Sequence, residues 1–383
     1  MQGTSLSHRQ RFELALNHQE PDQVPIAFGG PECSINISAH HKLLEYLGYQ
    51  SSDEPIIIDN ILQLVEPDER LYDLFDVDVR WIIPREAPVD WGTDRAAYVD
   101  EFGRTFKAGG GFYNQIDHPL KEGTEKELAS YRFPDLSKHD RMSGLIDKAR
   151  ELNRAGYGLT GDGAWGIYEI SSSLRGMQNL FLDMATQPAY VIKLAERVYE
   201  EYIQPYYTLL LQNIGSLLQM VVISDDYGGQ KKLLFSPDIF RSIYKPLLAK
   251  LVAHIRSLTS AKIYLHSDGA VAPLIPDFIE IGIDGLNPVQ YSAEGMQAHA
   301  LKKLYGDALG FFGGGIDNEV LSFGSSEQIR ADVQKQISCL APGGGYIFAS
   351  IHNIAPEVPP ENILSFFIAA IEFGQYPIPI QAG

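Results

Sequence analysis

Short apolar runs recur along the chain, each closing on glycine or polar residues and separated from the next by a stretch long enough for a helix. Eight can be followed, at 24–28, 79–83, 157–160, 220–224, 262–265, 285–289, 309–312 and 346–350. Between the fourth and fifth, residues 236–258 (SPDIFRSIYKPLLAKLVAHIRSL) repeat apolar positions at helical spacing behind a Ser-Pro start, a sound N-terminal helix signal. Comparable helical segments follow each later run, among them SEQIRADVQKQISCLA and PPENILSFFIAAIEF. Strict alternation of strand and helix implies parallel strands joined by right-handed crossovers, and eight such units close most simply into a barrel. The expected fold is therefore α/β, a (β/α)8 TIM barrel forming one domain over 1–383. A doubly wound open sheet is the weaker alternative, because no GxGxxG follows the first run.

The stretch 91–133 breaks this rhythm. It is polar, aromatic and glycine-rich, with hairpin turns expected near 101–103 or 109–111. We read it as an insertion after the second strand that overhangs the catalytic face. A lid or substrate-shaping role and a structural or homodimer-forming role both remain open.

Composition narrows the function. The 383 residues are 45% hydrophobic and 21% charged, an ordinary globular balance. A formal charge of −18 argues against nucleic acid, whose phosphates demand clustered Lys and Arg. Two cysteines, Cys33 and Cys339, form no CxxC pair and suit a reducing cytoplasm. The N-terminal residues carry no signal-peptide pattern and no apolar run has membrane-spanning length, so a cytoplasmic enzyme without a membrane is expected.

Barrel enzymes keep their reacting groups at the C-terminal ends of strands. Just past the runs stand Gly29-Gly30-Pro31-Glu32, Pro84-Arg85-Glu86, Gly161-Asp162-Gly163, Asp225-Asp226-Tyr227, His266-Ser267-Asp268, Gln290-Tyr291, Gly315-Ile316-Asp317 and His352-Asn353. In His266-x-Asp268 the alternation of an extended chain points both side chains one way, as a pair of metal ligands requires. His352 from the last strand adds a third donor, so His266, Asp268 and His352 are candidate ligands of one ion. The bland alternative is that both histidines are hydrogen-bonded structural residues of a polar barrel mouth. Of Asp225 and Asp226, one is expected to face the pocket while its neighbour caps the next segment or pairs with a cation, since adjacent residues point oppositely. Asp317 serves equally well as a helix cap or a substrate contact. The 313–315 glycines carry no phosphate signal, because no Lys follows.

Several stretches resemble the uroporphyrinogen decarboxylase superfamily, which also contains corrinoid-dependent methyltransferases: RFELALNHQEPDQVPIAF, MATQPAYVIKLAERV, FSPDIFRSIYKPLLAKL, GLNPVQ, GGGID and IHNIAPEVPPENILSFFIAA. The resemblance spans nearly the whole chain and implies a barrel. The decarboxylases carry an arginine-bearing segment after the first strand that grips substrate carboxylates; here that place reads Phe28-Gly29-Gly30-Pro31-Glu32-Cys33, with no arginine. His352 matches the histidine that decarboxylases have on the last strand. The methyltransferases hold zinc with a His-x-Cys on the fifth strand and a further Cys on the eighth. Here those places read His266-x-Asp268 and His352, so nitrogen and oxygen donors replace thiolates and make a harder site.

The resemblance thus implies a methyltransferase that moves a methyl group from a small donor, such as a methoxylated aromatic, to a corrinoid. The corrinoid is expected on a separate partner protein, because the chain has no DxHxxG motif. Zinc on His266, Asp268 and His352, or an acid among Asp225, Asp226 and His352, activates the ether oxygen. Tyr227, Gln290, Asn287 and Asp317 are expected to bind substrate. The alternatives are a metal-free carboxy-lyase acting on a tetrapyrrole or smaller acid through His352 and Asp225, and a non-catalytic barrel that binds a corrinoid or tetrapyrrole.

Overall fold

In the computed structural model, which describes residues 6–50, 54–91, 95–163 and 165–379, seven parallel strands form one curled sheet. In chain order they are β1 (Val79–Ile82), β2 (Gly158–Gly161), β3 (Met220–Ser224), β4 (Lys262–His266), β5 (Gly285–Asn287), β6 (Gly310–Phe312) and β7 (Tyr346–Ile347), each hydrogen-bonded to the next. The first apolar run supplies the closing element. Ile26 bridges Phe348 just past β7, and Ala27 bridges Val79 at the start of β1, both in parallel. The expected (β/α)8 barrel is therefore present, with its first strand reduced to a two-residue bridge.

Strands buried on both faces explain the near-continuous apolar runs. Inward side chains, including Val79, Trp81, Met220, Val222, Tyr264, Phe312 and Ile347, fill the barrel as one cluster. Their outward neighbours Val221, Ile223, Ile263, Leu265 and Phe311 pack against the helices. The N-terminal helix His8–Leu16, started by a Ser7–Gln10 capping box, joins the inner cluster through Phe12 and Leu16.

The insertion holds a three-stranded antiparallel sheet, Ala97–Val99, Thr105–Gly109 and Phe112–Asp117, so both expected turns occur. Tyr98, Phe106 and Tyr113 form its small core, with Trp91 packed on Tyr98 and Tyr113. Its tip touches the loop carrying His352, where a Cβ on Gly111 would lie 3.4 Å from Pro356. Arg104 donates to Ser173 and lies over the Trp165 ring. The insertion thus stands at the C-terminal ends of the strands. Among the described residues no helix is long and apolar enough to cross a membrane.

Candidate active site at the strand ends

The loops after β3 and β4 meet backbone to backbone. A Cβ on Gly228 would lie 2.5 Å from the Asp268 carbonyl oxygen, and Gly269, at φ +85°, has the same closeness to Gly228. Only glycine permits that approach at both places. The contact brings Asp226 to Asp268, whose backbone N–H donates to Asp226 Oδ1 at 2.8 Å.

His266, the last residue of β4, is 5% exposed. Its Nδ1 lies 2.6 Å from Asn287 Oδ1 and 2.7 Å from Glu32 Oε2. The Asn287 amide is held in turn by donating to the Phe312 carbonyl at 3.1 Å. With Nδ1–H committed to these acceptors, Nε2 is left to face Asp226 Oδ1 at 3.8 Å and Asp268 Oδ2 at 4.0 Å. His352 Nε2 approaches Asp268 Oδ2 from the other side at 3.7 Å.

One ligand atom from each of Asp226, His266 and Asp268 lies within 4.8 Å of the others. Asp268 Oδ1 is buried with no hydrogen-bond partner. An imidazole nitrogen backed by a carboxylate, facing two carboxylate oxygens, is a donor set that suits a divalent cation. The residues present therefore fit a metal, with one change to the expected set. Asp226 joins His266 and Asp268 at the centre, while His352 reaches only Asp268, at the open edge.

A cavity of about 260 Å³ opens in front of this group. Among the described residues its wall carries six carboxylates, Glu32, Asp59, Glu86, Asp162, Glu169 and Asp226, together with His266 and His352, and no Lys or Arg. Ile58, Leu62, Ile83 and Trp165 supply its apolar wall. Asp268 stands behind Asp226, His266 and His352 rather than in the lining itself, and no described residue of the insertion contributes to that lining.

Burial shapes the charges. It opposes a positive His266, yet the carboxylates of Glu32, Asp268 and Asp226 outweigh it and raise the imidazole pKa well above its usual value. Burial likewise pushes Glu32 up, but the His266 charge holds it below the ordinary range. Burial raises Asp162 well above the usual carboxyl value, Glu32 adding repulsion. Glu169 behaves alike, through burial and then Asp226 and Asp225. Asp268 is raised by burial against the pull of His266 and His352.

The remaining expected site residues fall elsewhere. Asp225 accepts from the backbone N–H groups of Tyr168 and Glu169, each at 2.9 Å, and from the Tyr227 hydroxyl at 2.8 Å. It therefore ties the start of the helix Ile167–Arg175 to β3 and does not line the cavity, in contrast to its expected catalytic role. Tyr227 is fully buried among Phe240, Tyr244 and Phe278 and does not shape the pocket. Gln290 accepts from Gly269 N–H at 2.6 Å and fixes the turn after β4. Asn287 orients His266 from behind the cavity wall. Asp317 caps the helix Asn318–Phe323 through Glu319 N–H. None of these four lines the cavity.

Glu32 and Asp162 stood at strand ends in the sequence and were not singled out there. Asp59 ends a short strand outside the barrel, Trp165 lies in the loop after β2 and Glu169 in a helix's first turn, and none of the three carried a signal in the sequence.

The sequence profile of the uroporphyrinogen decarboxylase (URO-D) family matches residues 100–373. No curated protein matches the sequence. Among solved structures, a methyltransferase from Methanosarcina mazei has a similar fold, with a TM-score of 0.64 at 17% identity, covering 96% of this chain and 99% of that one. Xylanase 10B from Thermotoga maritima aligns with a TM-score of 0.37 at 10% identity, covering 61% and 82%, too distant to inform the site.

Proposed function

The chain belongs to the uroporphyrinogen decarboxylase family, and from that premise we propose that it is a methyltransferase moving a methyl group from a small donor to a corrinoid on a separate protein. One observation carries the reading: His266 is fixed through Nδ1, so that Nε2 faces Asp226 and Asp268 at the rim of a cavity rich in carboxylates. An octacarboxylate substrate would meet no Lys or Arg on that wall to pair with its carboxylates. The decarboxylase alternative also assigned work to Asp225, which is occupied as a helix tie.

The donor we propose is a methyl ether, such as a methoxylated aromatic. A corrinoid on the partner protein would supply the nucleophile that accepts the methyl carbon as its bond to the ether oxygen breaks, and that oxygen would leave with the electron pair and take up a proton from this chain. A divalent cation, zinc in our proposal, held by Asp226, His266 and Asp268 supplies Lewis-acid stabilisation to that oxygen. The protein's own residues perform the rest. Glu32 and Asn287 hold the His266 tautomer, and Asp268 N–H orients Asp226. Asp162 and Glu169, their pKa values raised by burial, hold protons beside the leaving oxygen. Trp165 and Ile83 exclude water on the apolar side. His352 stands at the open edge, its Nε2 3.7 Å from Asp268 Oδ2.

The test is a methyl-transfer assay with reduced free cobalamin as acceptor and methoxylated aromatics as donors, followed by the absorbance change on cobalt methylation. Formation of methylcobalamin with matching release of the phenol supports the proposal. Conversion of uroporphyrinogen to coproporphyrinogen by the same preparation, without methyl transfer, refutes it.

A further inference from the structure

A second cavity, about 530 Å³, lies beside the first and shares the wall formed by Ile58, Ile83, Pro84 and Glu86. It has the volume of a small-molecule site and the opposite chemistry. Ile56, Ile58 and Trp91 line it with apolar surface, and Arg85, Arg95 and Lys148 stand on its lining. Lys148 is paired with Glu66, and Arg95 stacks over the Trp91 ring. The helix Leu145–Ala155 begins on the same chamber through Gly144, with no side-chain cap on its first N–H groups. Such a terminus favours negative charge.

The floor carries an unsatisfied donor. Trp81 is 7% exposed, lines the chamber, and its indole Nε1 has no hydrogen-bond partner. Gly30 makes room for the indole, since a Cβ there would lie 2.1 Å from the ring. A buried N–H without an acceptor costs free energy that a ligand acceptor recovers.

We propose that this second chamber is a binding site for an aromatic carboxylate, whose ring packs on the isoleucines and Trp91. Its anionic group accepts hydrogen bonds from the Trp81 indole or from Arg85. The contrast in cations sets the address: the lining of the first cavity offers such an anion no Lys or Arg, while this one carries Arg85 and Arg95 beside the Lys148–Glu66 pair, with Glu86 on the shared wall, and a helix N-terminus. Residues 56–58 and 81–88 precede the segment matched by the family profile. The site stands whether or not methyl transfer is the reaction of its neighbour.

The test titrates the full-length protein with 2-naphthoate and with the neutral 2-naphthalenemethanol, following tryptophan fluorescence. Saturable quenching by naphthoate is expected to persist in Trp165→Phe, whose indole lies in the first cavity, and in His352→Ala. Arg85→Gln is expected to weaken naphthoate about tenfold and leave the alcohol unchanged, the loss typical of one charge-assisted contact. Trp81→Phe is expected to weaken it as well; should that variant fail to fold, Arg85→Gln alone decides. Equal affinity for acid and alcohol in the native protein, unchanged naphthoate binding in Arg85→Gln, or loss of binding in His352→Ala overturns the proposal.

Discussion

The Nδ1 atom of His266 lies 2.7 Å from Oε2 of Glu32, a carboxylate brought from the opposite side of the barrel mouth by the segment after the first strand. This contact fixes which imidazole nitrogen faces the cavity. Partners of this kind raise the basicity of a ligating histidine, and their loss typically weakens a metal site about ten- to a hundredfold. Glu32→Gln is therefore expected to lower zinc affinity by about that factor, read by competition with a chelating dye. Native-like affinity in the variant would remove Glu32 from the account.

Asp225 and Asp226 are neighbours with separate duties. Asp225→Ala strips acceptors from two backbone N–H groups and a tyrosine hydroxyl, and is expected to destabilise the fold by about 2–3 kcal/mol. Asp226→Ala is expected to cost about 1 kcal/mol or less, yet to abolish methyl transfer. Urea denaturation of both variants, with activity measured on the folded fraction, checks this. The reverse assignment would show that the pocket-facing carboxylate has been misplaced.

Tyr227→Phe removes the hydroxyl that donates to Asp225 and leaves the ring in its aromatic cluster. A loss of about 1 kcal/mol with KM for the donor unchanged is expected. A large rise in KM would return Tyr227 to the substrate's surroundings.

Stability without added metal should fall as pH rises. Asp225 is raised by burial to about 7, from its ordinary value of 3.8, against the three hydrogen bonds that favour its ionised form. Asp162, Glu169 and Asp268 move the same way. Between these two limits the folded state keeps protons that the unfolded chain has released, so stability is lost as pH climbs through the window. His266, raised above 6.5, has the same sign, its contribution being lost as pH passes the folded value. Tm is thus expected to be higher near pH 5.5 than near pH 8 by about 3 °C or more. The dependence should weaken in Glu169→Gln. A flat profile, or one rising with pH, contradicts the charge states assigned to the cavity.

The barrel was legible because a parallel strand buried on both faces leaves an apolar run whatever its neighbours are. The strand ends followed from the fold, and His266, Asp268, Asp226 and His352 were found there. Which of Asp225 and Asp226 faced inward was not legible, because it depends on where the helix Ile167–Arg175 begins relative to β3. Tyr227 misled for the same reason: a tyrosine after a strand end looks like a pocket residue until the helical segments Phe240–Tyr244 and Ile275–Glu280 close over it. Glu169 and Asp59 reach the cavity from elements with no catalytic pattern, and only the packing of one loop on another brings them in. The insertion was visible as a break in rhythm, while its contacts with Ile61 and Pro356, far away in the chain, were not.

The most direct test of the central claim is the metal content of purified protein reconstituted with zinc, measured on the native chain and on His266→Ala, Asp226→Ala and Asp225→Ala. The account predicts about one ion per chain in the native protein and in folded Asp225→Ala, and none retained after dialysis in the other two. A native protein that retains no zinc, or a His266→Ala variant that retains the full amount, would contradict it.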